Sequence, residues 1–430
     1  HQKGDSGLRL TRARSIIMDV LIQSLFDWAI LIARESMGTT QPMCILATGG
    51  YGRGELSPLS DLDIMFLYPH SSMGKSLDNL KEIMTREILY PLWDSGLKVG
   101  HASRELKEAL SESQKDIRNK NSMLDARFVC GDRKIATKFV TNFLKFCKKH
   151  QPAEYLEELL RHQIERRDSK GNTVFLQAPD VKNGVGGLRD YQGILWMAKV
   201  KFNLESIEGL IDKKYLNEQE AKSFEDAYSF LLRVRNELHF RSRRPVDILH
   251  LEKQPEIALG LGYEQEDIFR RVEAFMGDYY SKAQTIHQIS GILEERLVHA
   301  NSGNTSKLSF RNVINAYRAA PTQKVDGFDL REDILSSSSQ EIFDIDPERI
   351  IRLFRHAQRL NAVLSPDLRA LVRNRLSLID STLINSSSAN VSFRSILQEV
   401  GNVSPILCEM HELGVLGRFV PEFGRLSCKV

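Results

Sequence analysis

The feature that most constrains this chain is a glycine-rich turn set between two apolar runs. Residues 43–48 and Leu62–Tyr68 are short and apolar, and Pro69 ends the second, as expected of buried strands. Between them stands Gly49-Gly50-Tyr51-Gly52-Arg53-Gly54-Glu55, followed by Ser60-Asp61-Leu62-Asp63. Glycines between a strand and a helix let backbone N–H groups approach a phosphate closely, and a helix start adds partial positive charge. Arg53 in that turn would supply a full charge. The pattern is not Walker A, which needs Gly-Lys followed by Ser or Thr. Nor is it GxGxxG, because Glu55 stands where the last glycine belongs.

Asp61 and Asp63 lie two apart at the start of an apolar strand, so both side chains project from one face. Two carboxylates there repel each other unless a divalent cation sits between them, and oxygen ligands select Mg²⁺ or Mn²⁺. An ion bridging a nucleotide's phosphates would orient in-line attack and neutralise developing charge. Alone, a glycine turn is only a turn and an Asp-x-Asp only a solvated strand end. In this order and spacing they point to transfer of a phosphorus-centred group.

The periodicity around this unit predicts a helix over 8–36, another over 74–93, a short strand at 97–101, a helix near 104–117 and an extended stretch at 123–129. From about 133 long amphipathic periods dominate, over 133–167, 188–205, 213–243 and 264–298. The small polar stretch 299–309 is the best linker candidate, and shorter helices with Ser/Asn-rich breaks follow. Among 430 residues, 42% hydrophobic and 27% charged place the chain with ordinary globular proteins of two or three domains. The 59 Lys+Arg are nearly balanced by 56 Asp+Glu, which disfavours a dedicated nucleic-acid binder. Five cysteines without a CxxC pair argue against a disulfide framework and a thiolate zinc site, and fit a reducing cytoplasm. No apolar run approaches the roughly 20 residues that cross a bilayer, so no membrane partner is expected. A first residue that is not Met and an abrupt end read as a piece of something longer.

GGYGRGEL followed by SDLD resembles the nucleotidyltransferase motif of the polymerase-beta-like superfamily. Its wording is most similar to the bacterial PII uridylyltransferase/uridylyl-removing enzymes. A second stretch, Val181-Lys182-Asn183-Gly184-Val185-Gly186-Gly187-Leu188-Arg189-Asp190, resembles that family's K-x-G-x-GGLRD segment. Arg233-Val234-Arg235-Asn236-Glu237-Leu238-His239 and the GVLGRFVPEFG stretch at 414–424 extend the likeness over essentially the whole chain.

The resemblance implies an α+β polymerase-beta-like nucleotidyltransferase domain over 1–135 with a small mixed sheet, a helical bundle over 136–300 and a helical connector over 301–430. It implies Mg²⁺-dependent transfer of UMP from UTP to a tyrosine of the nitrogen-signalling protein PII, releasing pyrophosphate. An HD-type hydrolase and ACT modules follow in that family; no His-Asp doublet occurs here, so they are expected outside this chain. Carried over residue by residue, Gly49, Gly50 and Arg53 match the phosphate-side motif, and Asp61 and Asp63 the metal carboxylates. The superfamily's third carboxylate has no match at Gly100 or His101, which leaves Asp125 as a candidate. Asp190 is a candidate for catalytic or nucleotide contact, or else a helix-start cap. Lys182 and Arg189 are candidates for meeting triphosphate or the acidic surface of a partner, or else a solvated face. The arginines at 233, 235, 241, 243 and 244 read either as a docking surface or as the exposed face of a helix. His239 and Trp196 are expected in the core, and His101 at the active edge of the sheet. Three rivals stand beside UMP transfer: a protein adenylyltransferase, since that related family carries the same paired aspartates; a nucleic-acid nucleotidyltransferase; and a non-catalytic scaffold.

Overall fold

A computed structural model describes residues 6–38, 41–69, 74–113, 115–149, 152–299, 323–331, 333–337, 339–399, 401 and 403–426. Residues 1–298 and 299–430 form two compact units. Most of the proposed linker, and Cys428, lie outside the described residues.

The first unit carries a four-stranded mixed sheet of β1 (Cys44–Ala47), β2 (Leu62–Tyr68), β3 (Val99–Glu105) and β4 (Arg127–Gly131), in the order β3-β2-β1-β4. β1 is antiparallel to β2 and β4, and β2 is parallel to β3. The two central strands are almost wholly buried because both faces are covered. Alternation sends Ile45, Ala47, Ile64, Phe66 and Tyr68 into one core with Ile22, Phe26, Ala29 and Ala33 of the Gly7–Met37 helix. The Arg133–Lys149 helix packs on the same central strands, with Phe139 and Phe143 buried. Sheet and bundle therefore share contacts across residue 135, where the sequence reading changes from one to the other.

The Gly7–Met37 helix corrects the reading that no apolar run is long enough for a bilayer. By length and composition this one is. Here its buried face lies on the sheet, and Asp19 within it pairs with Arg127 and accepts from the Tyr51 hydroxyl. Other differences have local causes. The 74–93 period is interrupted by a π turn over Thr85–Leu89, just before Pro91, which has no N–H to donate. The 133–167 period is two helices, with Pro152 opening the second, Pro152–Ser169. Of residues 123–129, expected extended, Met123 and Leu124 end the Ile117–Leu124 helix with Asp125 as its cap residue, and 127–129 open β4 as expected.

The Leu188–Phe202 helix runs through the middle of the unit, and the Pro152–Ser169 and Glu218–Phe240 helices pack against it. The glycines before it are packing devices. Gly186 has φ +68°, and a Cβ there would lie 2.1 Å from the Ala283 carbonyl oxygen. The second glycine motif is thus explained by close backbone approach to the Ile268–His299 helix.

The second unit departs from a purely helical connector. It holds β5 (Gln323–Val325), β6 (Phe328–Arg331), β7 (Ile334–Ser336) and β8 (Val363–Leu364), with β7 and β8 parallel. Asp326 and Gly327, at φ 51° and 89°, make the β5–β6 turn, the Asp-Gly signal of a tight hairpin. Phe328, Phe343, Ile350 and Phe354 lead a core of its own. In the 414–424 stretch two short helices, Val415–Phe419 and Pro421–Leu426, meet where Gly424 lies against the Gly417 backbone.

Substituting Gly186→Ala strains a positive φ and drives a methyl into backbone, so a loss of more than about 3 kcal/mol is expected. Urea denaturation of the variant beside a Gly291→Ala control, where nothing lies within 4 Å, checks this. Equal stability of the two would refute it.

Candidate active site

A cavity of about 540 Å³ lies in the first unit, between the glycine turn, the start of β2 and the helices Ile117–Leu124, Pro152–Ser169, Leu188–Phe202 and Glu218–Phe240. The glycine turn folds as one helical turn, Gly49–Gly52. Gly49 takes φ +56°, and a Cβ there would stand 3.2 Å from Asp63 Oδ2 and 3.6 Å from Ser122 Oγ. The Thr48 N–H donates to the Asp63 carbonyl oxygen at 3.0 Å, fixing the turn beside the carboxylates. In the parallel register Asp63 faces Gly100, where a Cβ would fall 2.5 Å from Asp63 Oδ1. The position at which a third acid was sought therefore has to be glycine to leave room for the second.

Asp61 is exposed and Asp63 half-buried, both line the cavity, and neither carboxylate has a hydrogen bond or ion pair among the described residues. Burial, and then the charge of Asp61, push the Asp63 carboxyl up to about 6, against the more distant pull of Lys182, Arg189 and Arg53. Among the described residues there is no group of three or more His, Cys, Asp or Glu side chains able to hold a metal. The pair alone suits an ion such as Mg²⁺, which keeps most of its ligands as water and substrate phosphate and uses one or two carboxylates.

Asp125 does not complete a carboxylate triad. Its Oδ2 binds Arg53 Nη1 at 2.5 Å and its Oδ1 accepts from Trp196 Nε1 at 2.9 Å, so both oxygens are engaged. Arg53 is also held by Glu55, Nε to Oε2 at 2.7 Å, and Glu55 accepts from the Tyr228 hydroxyl at 2.7 Å. The turn's own cation is thus largely neutralised within the protein. Asp190 does not line the cavity. It is fully buried, accepts from the Gly186 N–H at 2.7 Å and pairs with Arg166 and, at 3.0 Å, Arg167. Burial would raise its carboxyl, but the two arginines outweigh that and hold it below the ordinary range. It locks the start of the Leu188–Phe202 helix to Pro152–Ser169, a structural role in place of the catalytic one considered above.

Lys182 and Arg189 do reach the cavity. Arg189 has no carboxylate partner among the described residues; its Nη1 donates to Gln192 Oε1 at 3.0 Å and its guanidinium lies 5.5 Å from the Trp196 ring. Burial and the nearby Arg53 push it down to about 10. Lys182 stands 3.8 Å from Asp247, and burial, then Arg235, lower its pKa. The basic run breaks up: Arg235 turns inward to Asp247 at 2.7 Å, Arg233 donates to the Leu261 carbonyl, and Arg243 and Arg244 are exposed. His239 is buried as expected, and its Nδ1 accepts the Leu59 N–H at 3.1 Å, steadying the loop that leads to Asp61. Trp196 is buried, yet its ring lines the cavity. His101 does not line it; it packs edge-on against Trp93.

Glu55, Tyr228, Asp247 and the polar faces of the Ile117–Leu124 and Pro152–Ser169 helices were missed from sequence. Arg118, Asn121, Ser122 and Asp125 recur every three or four residues, and so do Leu159, His162, Gln163 and Arg166. That period was the available signal, obscured because residues 123–129 were read as extended.

With this geometry in place, comparison with known proteins is direct. A family model described as GlnD PII-uridylyltransferase matches residues 154–294, and one described as uridylyltransferase GlnD third domain matches 328–419. Proteins named bifunctional uridylyltransferase/uridylyl-removing enzyme match the chain nearly end to end. One from Caulobacter vibrioides (strain NA1000 / CB15N) is 33% identical over 431 residues, covering 100% of this chain and 45% of that protein. One from Rhodopseudomonas palustris is 32% identical over 425 residues, 98% of this chain and 45% of the relative. A third, from Phenylobacterium zucineum, is 33% identical over 433 residues with shares of 100% and 45%. The chain belongs to the GlnD uridylyltransferase family, and it spans about 45% of the length of these relatives.

The raised Asp63 carboxyl makes a stability prediction. An unfolded aspartate titrates near 4, the folded one at about 6. Above pH 6 the folded state bears the full cost of the buried charge, and that cost is lost as pH falls from 6 toward 4. Asp63→Asn without divalent metal or nucleotide should therefore be more stable than wild type by about 1–3 kcal/mol at pH 7.5. The gain should vanish near pH 4. Chemical denaturation in EDTA at both pH values reads this, and a variant no more stable than wild type at pH 7.5 would contradict it.

Proposed function

We propose that this chain transfers UMP from UTP to a tyrosine hydroxyl of a PII regulatory protein, with Mg²⁺ held by Asp61 and Asp63. The observation that carries the reading is the separation of charge in the cavity. Among the described residues the two carboxylates have no cation partner, and Arg189, which lines the same cavity, has no carboxylate partner. A metal-bound triphosphate is the ligand that satisfies both. The relatives' names support uridylyl as the group transferred, and the family model's description supports PII as the acceptor.

On this reading the backbone N–H groups of Gly49 and Gly50 and the side chains of Lys182 and Arg189 bind phosphate oxygens. Arg53, braced by Glu55 and Asp125, keeps the turn in shape and adds its field. The ion at Asp61 and Asp63 would neutralise phosphate charge and align the α-phosphorus. The acceptor oxygen bonds to that phosphorus as its proton is released, the bond to the bridging oxygen breaks, and pyrophosphate leaves. His239, through the Leu59 N–H, holds the 57–61 loop still during this exchange.

Incubation with α-labelled UTP, Mg²⁺ and PII protein tests the proposal. Wild type should label PII, Asp61→Asn and Asp63→Asn should lose at least about 10³-fold in rate, and Arg189→Ala about 10–100-fold. Labelling with ATP in place of UTP, or labelling undiminished in Asp63→Asn, would overturn it.

A further inference from the structure

The phosphate-binding elements account for only one side of the cavity. Its other wall is the polar face of the Ile117–Leu124 helix, where Arg118, Asn121 and Ser122 line the space, with Leu159 and His162 of Pro152–Ser169 beside them. Ser122 sits next to Gly49 and Asp63, as the Gly49 geometry shows. From Ser122 the same helix continues to Asn121 and Arg118, which line the same cavity. A nucleotide with its phosphates at Asp61, Asp63 and Gly49 would lay its nucleoside along this wall.

Asn121 is the group there with a fixed chemical sense. It is only 6% exposed. Its Oδ1 accepts the hydroxyl of Tyr155 at 2.6 Å, and Tyr155 is itself buried at 1% exposure. An asparagine amide offers an acceptor at one end and two N–H donors at the other, and nothing but its neighbours decides which end faces a ligand. In this arrangement the Tyr155 hydroxyl engages Oδ1, so the Nδ2 donors are the end left to meet a ligand. A base with carbonyl oxygens at its edge satisfies such donors, whereas one presenting an amino group meets them donor to donor. Uracil carries two carbonyl oxygens, cytosine one and adenine none.

We infer that Asn121, oriented by Tyr155, is the base-reading residue of the cavity and selects a uracil carbonyl over an amino-bearing base. This rests on the nucleotide reading above and adds the residue that makes the choice. Buried polar groups left unpaired by the wrong ligand discriminate more strongly than shape does. Tyr155 acts only through Asn121 and is a positioning residue. Removing its hydroxyl leaves the amide free to turn and present oxygen instead.

Titration of wild type, Asn121→Leu and Tyr155→Phe with UTP, CTP and ATP, each with Mg²⁺, tests the inference. Wild type should prefer UTP. Asn121→Leu should weaken UTP about 10–100-fold with a much smaller loss for ATP. Tyr155→Phe preserves volume and charge, and should compress the UTP-to-ATP ratio about five- to tenfold with little change in overall affinity for ATP. Circular dichroism and thermal melts confirm folding of both variants. A wild type that binds no nucleotide, or prefers ATP, overturns both readings. A wild type that prefers UTP, with the ratio unchanged in both variants, overturns this inference alone. Equal weakening of all three nucleotides does so too, and would make the wall a support for phosphate.

Discussion

The Asp63 carboxylate is held where an isolated protein would least favour it: partly buried, two residues from another acid, and with no cation in contact among the described residues. Folding tolerates that arrangement because the surroundings are shaped to it. Gly49 and Gly100 withhold the side chains that would press on its oxygens, and a strand buried on both faces anchors its backbone. Every other carboxylate near the cavity is paired: Asp125 and Glu55 with Arg53, Asp190 with Arg166 and Arg167, Asp247 with Arg235. The cost is concentrated at Asp61 and Asp63, and a bound cation would relieve it. Strain of this kind at a binding position is the usual signature of function over stability.

The paired charges also make the cavity rigid. Arg53 links the glycine turn to the end of the Ile117–Leu124 helix and, through Glu55 and Tyr228, to the Glu218–Phe240 helix. Asp247 gathers Arg235 and, more loosely, Lys182 and His239, and His239 returns a bond to the loop before Asp61. Sheet and bundle thus act as one frame. Several residues that read as catalytic from sequence turn out to position others, which is what preorganised charge requires.

How much of this was legible in the sequence depended on how local the signal was. The turn and paired aspartates could be read directly, because strand, glycines and carboxylates are contiguous and their spacing implies one face. Arg189 and Lys182 were found through a motif, but the partner of Lys182, Asp247 on a distant stretch of the chain, was not. Asp125 and Asp190 show the limit. Each stood at a plausible position, and only the folded arrangement reveals that a guanidinium holds one oxygen and an N–H group the other. The polar stripe of residues 118–125 was hidden by an extended reading of its last turn. The sheet of the second unit was announced by Asp326-Gly327 yet overlooked, because its strands are only two to four residues long and leave little period to detect.

The central claim is that Asp61 and Asp63, without cation partners among the described residues, and Arg189, without a carboxylate partner there, form two halves of a receptor for a metal-bound triphosphate. Calorimetric titration of the protein with UTP, with and without Mg²⁺, measures this directly. The account predicts a single site per chain whose affinity rises at least about tenfold when Mg²⁺ is present, with that gain abolished in the Asp61→Asn/Asp63→Asn double variant. Equal affinity with and without Mg²⁺ in wild type would contradict it.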